Sequence, residues 1–259
     1  MRIATWNVNS VNARLENLLR WLREEQPDVA CLQELKCVDE KFPREPVEDL
    51  GYNILVHGQK TYNGVAILSK YPLEEVRRGL PNGEEDIQSR YLEAVIEAPR
   101  PVRVASIYLP NGNPLGTEKF PYKLAWMARL HAHAKDLLAL EEATVLAGDY
   151  NVIPTELDCE NPKNWLDDAL FQPESRAAHR ALVNLGYLDA HLSVGAQPHA
   201  YTFWDYFRDA FERDNGIRID HQLLSPQAVD RLVSSEVQRH VRGWEKPSDH
   251  TPLMVTLAD

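Results

Sequence analysis

The sequence predicts an α/β fold in which two packed sheets are flanked by helices. Two observations lead there. Short runs rich in Val, Ile and Leu recur from end to end, and several follow one another with no helical stretch between them, which a regular βα barrel does not allow. The runs that read as strands are Ile3–Trp6, Val29–Leu32, Val65–Leu68, Leu92–Ile96, Val102–Tyr108, Val145–Ala147, Ile219–Leu224 and Leu253–Leu257. Helical spacing is confined to Ala13–Glu25, with Leu15, Leu18, Leu19 and Leu22; to Lys123–Leu140, with Leu124, Met127, Leu130, Leu137 and Leu138; and to Glu174–Leu185.

The chain has 259 residues, 44% hydrophobic and 26% charged, and no Gly/Ser-rich or Pro-rich linker divides it. Such a chain buries a sizeable core, and a single domain over 1–259 is expected. No apolar run is long enough to span a bilayer and the first residues lack the apolar core of a signal peptide, so a cytoplasmic protein with no membrane role is expected. Three cysteines are too few and too oddly spaced for a disulfide framework or a zinc knuckle, and Cys31 reads as a small core residue. The net charge of −11 counts against a broadly basic surface for nucleic acid. Arg77 with Arg78, and Arg239, Arg242 and Lys246, are local basic clusters whose default is a solvated face. Nothing reads as a spare apolar face, so a monomer is expected.

Several strands run straight into polar residues. Ile3–Trp6 leads into Asn7-Val8-Asn9, Ala30-Cys31-Leu32 into Gln33-Glu34, Ala105-Ser106-Ile107 into Tyr108-Leu109-Pro110-Asn111, and Leu146-Ala147-Gly148 into Asp149-Tyr150-Asn151. Near the other end, Ser248-Asp249-His250 stands at the entrance to the last strand. A sheet fixes the position of side chains where its strands give way to loops, so these ends together suggest one convergent site.

In order along the chain, Trp6-Asn7-Val8-Asn9, Leu32-Gln33-Glu34, Tyr108-Leu109-Pro110-Asn111-Gly112, Gly148-Asp149-Tyr150-Asn151, Arg218-Ile219-Asp220 and Ser248-Asp249-His250 resemble the exonuclease III family of apurinic/apyrimidinic (AP) endonucleases, within the DNase I-like group of endonucleases, exonucleases and phosphatases. Gly58-Gln59-Lys60, the stretch Tyr62, Asn63, Gly64 to Ser69 and the tyrosine motif resemble its DNA-repair branch. The resemblance implies a four-layer α/β sandwich with two mostly antiparallel sheets. It also implies a nuclease that incises double-stranded DNA 5′ to abasic sites, removes nucleotides or blocking groups from 3′ ends, or does both.

The chemistry can also be argued from residue types. Hydrolysis of a phosphodiester needs an activated water, positive charge on the phosphoryl oxygens and help for the leaving oxygen. Glu34, Asp149, Asp220 and Asp249 in one place would repel one another unless a divalent ion lay among them, and an all-oxygen ligand set selects Mg²⁺ or Mn²⁺ over zinc. The resemblance implies Glu34 as principal metal ligand with Asn7 and Asn9 close to it, Asp249 as a further ligand, and Asp149 and Asn151 at the attacking water and the metal. It implies His250, oriented by Asp220, as donor to the phosphate, and Tyr108 and Asn111 near the phosphate or leaving group. Phe203, Ile217 and Ile219 are implied as an apolar pocket for a sugar without its base, a site Trp204 is expected to border. Alternation in Tyr201-Thr202-Phe203-Trp204 sets Phe203 with Tyr201 on one face and Trp204 with Thr202 on the other. His131 and His133 are expected on the surface, and the lysines of Lys119–Lys123 in solvent. The alternatives are a phosphatase or phosphodiesterase acting on phosphoesters other than DNA, and a noncatalytic DNA-binding protein.

Overall fold

The computed structural model describes residues 1–195 and 200–259. Its strands are β1 (Arg2–Asn7), β2 (Val29–Gln33), β3 (Asn53–His57), β4 (Val65–Ser69), β5 (Leu73–Arg78), β6 (Tyr91–Ile96), β7 (Val102–Tyr108), β8 (Thr144–Asp149), β9 (Leu188–Asp189), β10 (Asp220–Leu224), β11 (Leu232–Val237) and β12 (Leu253–Leu257). Helices are α1 (Leu15–Glu25), α2 (Arg44–Glu48), α3 (Lys119–Leu138), α4 (Pro173–Val183), α5 (Ala190–Ser193) and α6 (Pro226–Val229). The strands form two six-stranded sheets, ordered β11-β12-β1-β2-β4-β3 and β5-β6-β7-β8-β10-β9.

Period-two alternation explains the layering. In β1 and β2, Ile3, Val29 and Cys31 face the second sheet and meet Leu92, Ala94, Val104, Val145, Ala147 and Leu224. Their neighbours Ala4, Trp6, Ala30 and Leu32 point the other way, onto Leu18, Trp21 and Leu22 of α1. On the far side, Trp126, Met127 and Leu130 of α3 and Leu182 of α4 cover Ala105, Ile107 and Leu146. The order helix, sheet, sheet, helix is the expected four-layer sandwich. All eight anticipated strands are present, and β3, β5, β9 and β11 are additional.

Two pairings carry the functional geometry. Strand β1 runs parallel to β2, with Asn7 across from Gln33, and β7 runs parallel to β8, with Tyr108 across from Asp149. The remaining pairs are antiparallel, and β10 meets β8 with Asp220 opposite Asp149. Parallel neighbours end side by side, so both sheets deliver polar strand ends to the same edge. Gly148 lets β7 and β8 approach there, because a Cβ at that position would lie 2.0 Å from the Ile107 carbonyl oxygen.

Two expectations about surface residues fail. His133 packs against Tyr91 and contacts the buried Glu93 Oε2 at 2.7 Å. Lys123 is buried under the loops that follow β7 and β8, because α3 begins at Lys119 and turns that side chain inward.

Buried Arg218 ties the approach to β10 to the rest of the second sheet. Its Nε donates to Asp158 Oδ1 and its Nη1 to Asp189 Oδ2, each at 2.7 Å. Burial alone would raise the Asp189 pKa, but Arg218 and His221 hold it far below the ordinary carboxylate value. Arg218→Met should therefore lower stability by about 3–5 kcal/mol, since it strands two buried carboxylates. Equilibrium urea unfolding measures this, and a loss below about 1 kcal/mol would show that the network is dispensable.

Candidate active site

The site is built from strand exits, and its backbone is strained there. Asn9, Glu34 and Asn151 take φ of 45°, 52° and 46°, in a left-handed region that few non-glycine residues occupy. The Glu34 turn is held from behind. Leu35 N–H donates to the Gly64 carbonyl and Lys36 N–H to that of Asn63, while Tyr62 stands out into solvent. Asn63 and Gly64 thus act through their backbone.

Asn7 joins the two halves of the site. Its Nδ2 donates to Glu34 Oε1 and to Asp149 Oδ2, both at 2.9 Å, while its Oδ1 accepts from Asn9 N–H. With its oxygen turned to Asn9, Asn7 bridges the two carboxylates. Glu34 also accepts from Tyr108 Oη at 2.8 Å and from Lys36 Nζ at 3.0 Å. Burial would raise the Glu34 pKa, yet Lys36 and the hydrogen bonds from Asn7 and Tyr108 hold it below its usual value. Burial and the charges of Glu34 and Asp149 push Tyr108 well above the ordinary phenol range, so it remains a donor.

On the other side His250 stands between two acids. Its Nδ1 lies 2.8 Å from Asp220 Oδ2, and its Nε2 lies 3.6 Å from Asp149 Oδ2. Burial would depress the imidazole pKa, but Asp220 and then Asp149 overcome it and drive the pKa strongly upward. Asp149 is itself raised, chiefly by burial and further by Asp220, against the opposing pull of His250, Asn7 and the Asn151 N–H. That N–H holds Asp149 Oδ1 at 2.9 Å, and Asn111 Nδ2 reaches Asn151 Oδ1 at 3.3 Å. The Ser248-Asp249-His250 turn is fastened by the Ser248 hydroxyl, which donates to the Asn7 carbonyl and accepts from His250 N–H. Asp249 then faces Asn9 Nδ2 at 3.1 Å.

Phe203, Ile217 and Ile219 do come together, with Ile153, Cys159, Leu170 and Phe171. Phe203 also meets the His250 ring edge to face, with centroids 5.0 Å apart. Trp204 does not border this group. It packs on Tyr201 and Phe211 and donates Nε1 to Asp214. The segment is irregular rather than a strand, so alternation fails and Tyr201 sides with Trp204 instead of Phe203.

Two functional-site neighbours escaped sequence reasoning. Lys36 carried no signal beyond standing two residues after Glu34. Lys123, whose ammonium is pushed down to about 7 chiefly by burial, was masked by the lysine-bearing start of its helix.

The residues present suit a divalent cation. Glu34 Oε2 and Asn9 Oδ1 already converge on a cation, the Lys36 ammonium, at 3.0 and 2.6 Å. Asp220 Oδ1 is buried without a hydrogen-bond partner among the described residues. Carboxylate and amide oxygens are hard donors.

Buried acids crowded around a cationic histidine, at the joined edges of two sheets, are equipment for metal-dependent hydrolysis of phosphoesters. The chain belongs to the endonuclease/exonuclease/phosphatase family, which it matches over residues 4–250. It is 35% identical to exodeoxyribonuclease III of Haemophilus influenzae, across 98% of each chain. An AP endonuclease from Archaeoglobus fulgidus superposes with a TM-score of 0.94 at 34% identity, covering 99% of each chain. The 3′ phosphatase NExo from Neisseria, solved with a product DNA hairpin, superposes at 0.96 with 37% identity and full coverage of both chains. Among the described residues, no helix is long and apolar enough to cross a membrane.

The two acids around His250 give a spectroscopic prediction. In metal-free protein His250 should stay protonated well above the ordinary histidine pKa, and Asp220→Asn should bring its titration down, because the carboxylate that favours the cation is gone. Nitrogen-15 NMR of the imidazole follows this directly, and an unchanged titration in the variant would contradict the assignment.

Proposed function

We propose that residues 1–259 form one catalytic domain of a Mg²⁺-dependent DNA-repair nuclease, with Mn²⁺ able to substitute, acting as a cytoplasmic monomer on double-stranded DNA. It hydrolyses the phosphodiester 5′ to an abasic site and removes nucleotides and blocking groups from 3′ ends. The observation that carries the reading is His250, pinned by Asp220 at 2.8 Å and facing Asp149 at 3.6 Å, which sets a cation and a base side by side. Exodeoxyribonuclease, AP endonuclease and 3′ phosphatase activities named for the relatives support both halves of the substrate range.

Asp149, with its raised pKa and both oxygens oriented by Asn7 and the Asn151 N–H, accepts the proton of the attacking water. His250 gives a charge-assisted hydrogen bond to a phosphoryl oxygen, and Asp220 fixes its ring and keeps it charged. The Tyr108 phenol and Asn111 meet the phosphate or leaving group from the β7 exit. Glu34, with Asn9 and Asp249 beside it, would hold the divalent ion. When bound, that ion neutralises charge on the phosphoryl oxygens. Phe203, Ile217 and Ile219 offer a base edge no hydrogen bonds, which suits a sugar that has lost its base.

A duplex carrying one stable abasic analogue and labelled at its 5′ end tests the proposal. The expected product is a single incision 5′ to the analogue, leaving a 3′-hydroxyl, with excess EDTA abolishing it. Digestion of 3′ ends with the analogue left intact would refute the endonuclease half. Phe203→Ala should reduce cleavage at the analogue more than digestion from a 3′ end.

On the same substrate, Glu34→Ala should lose most activity and regain part of it at raised Mg²⁺ or Mn²⁺. His250→Ala and Asp220→Asn should each lower kcat by at least about a hundredfold, and the double variant should be little worse than either. Multiplicative losses would show that Asp220 does not act through His250.

A further inference from the structure

Lys123 presents an unusual arrangement. Its side chain is fully buried, and Nζ donates to two backbone carbonyls, Asn111 O at 3.0 Å and Asn151 O at 2.5 Å. Among the described residues no carboxylate lies within 4.0 Å of that nitrogen. Burying an ammonium without a counter-ion is costly, and an apolar side chain of the same length would serve packing alone better. The two carbonyls belong to different loops, one leaving β7 and the other leaving β8, and each loop carries an asparagine of the site. Gly112, at φ 90°, lies against the lysine stem, because a Cβ there would come within 2.7 Å of Lys123 Cδ.

We infer that Lys123 is a positioning residue: by holding the Asn111 and Asn151 carbonyls on one nitrogen, it sets the separation of the two loops and with it the aim of Asn111, Asn151 and Asp149. The link to Asp149 is direct, because the Asn151 N–H holds Asp149 Oδ1 while the carbonyl of the same residue is held by Lys123. Asn151 Nδ2 closes the arrangement by donating to the Leu109 carbonyl at 2.8 Å. Two N–H donors suffice for this clamp, and a lysine nitrogen offers them whether charged or neutral. The inference rests on the proposed roles of Asp149, Asn151 and Asn111.

The test compares wild type, Lys123→Met and Lys123→Arg on the abasic-analogue duplex at saturating Mg²⁺, with kcat, KM and thermal melting measured for each. Met keeps the stem and removes the donors, so kcat should fall about a hundredfold, the scale of an ångström-sized misplacement, while KM stays within about threefold. Arg keeps donors in altered positions and should recover about tenfold of that loss. A folded Met variant with wild-type kcat overturns the inference while leaving the nuclease reading intact. If Met fails to fold, Arg decides: a lowered kcat at wild-type KM supports positioning, and wild-type kcat assigns Lys123 to folding alone and overturns it. A wild-type enzyme that leaves the duplex uncut sinks the nuclease reading and this inference together.

Discussion

The structure turns on one electrostatic constraint: Glu34, Asp149 and Asp220 must sit at the meeting edge of two sheets, close enough to share partners, in a region largely closed to water. Like charges in a poorly screened place drive one another toward protonation. Each acid is balanced differently. Glu34 is held by an ammonium and two hydrogen bonds, and its pKa falls. Asp220 has the imidazole of His250. Asp149 is raised by burial and by the neighbouring Asp220, despite His250, Asn7 and the Asn151 N–H. Glu34 and Asp149 thereby acquire opposite properties from their surroundings, which is how one acid can accept a proton while the other remains a fixed charge.

That separation depends on the sheet pairing. Register places Tyr108 and Asp220 on either side of Asp149, and Asn7 beside the strand that leads to Glu34. A one-residue slip in β8 would turn Asp149 to the opposite face and carry Gly148 away from the spot where only a missing side chain lets β7 pass. The left-handed backbone at Glu34 and Asn151 is then a consequence of position, since the chain must turn sharply at the end of each strand while its side chain points back into the cleft. Such strain is tolerated because the surroundings over-determine it: the Glu34 turn is pinned by Asn63 and Gly64, and the Asn151 turn by Leu109, Asp149 and Lys123.

What the sequence made legible follows the same physics. The eight strands that announce themselves are the interior ones of each sheet, packed between neighbours on both edges, where continuous Val, Ile and Leu are required. The four that do not, β3, β5, β9 and β11, are the outermost strands of the two sheets. Strand β5 reads Leu-Glu-Glu-Val-Arg-Arg and is mostly exposed, so nothing in its composition separates it from a loop. At the site, residues at strand ends were readable because the strands were. Tyr201 was misplaced because alternation was applied to a segment that is not a strand, and Lys123 because a buried lysine looks like a solvated one until the loops above it are known.

The polar and apolar halves of the site also differ in readiness. Asp149, Asp220, His250 and Asn7 are already joined by direct contacts, so the polar half requires little rearrangement to act. The apolar half is closed: Ile217 and Ile219 are 1% and 2% exposed, and Phe203 bridges Ile217 to His250. Phe203 is partly buried at the rim, while the isoleucines behind it are core. On the proposed reading, a base-free sugar would have to open this closed group, so internal incision would be taxed more than end-directed hydrolysis, and Phe203, touching both Ile217 and His250, is where recognition of the sugar would be coupled to the placement of His250.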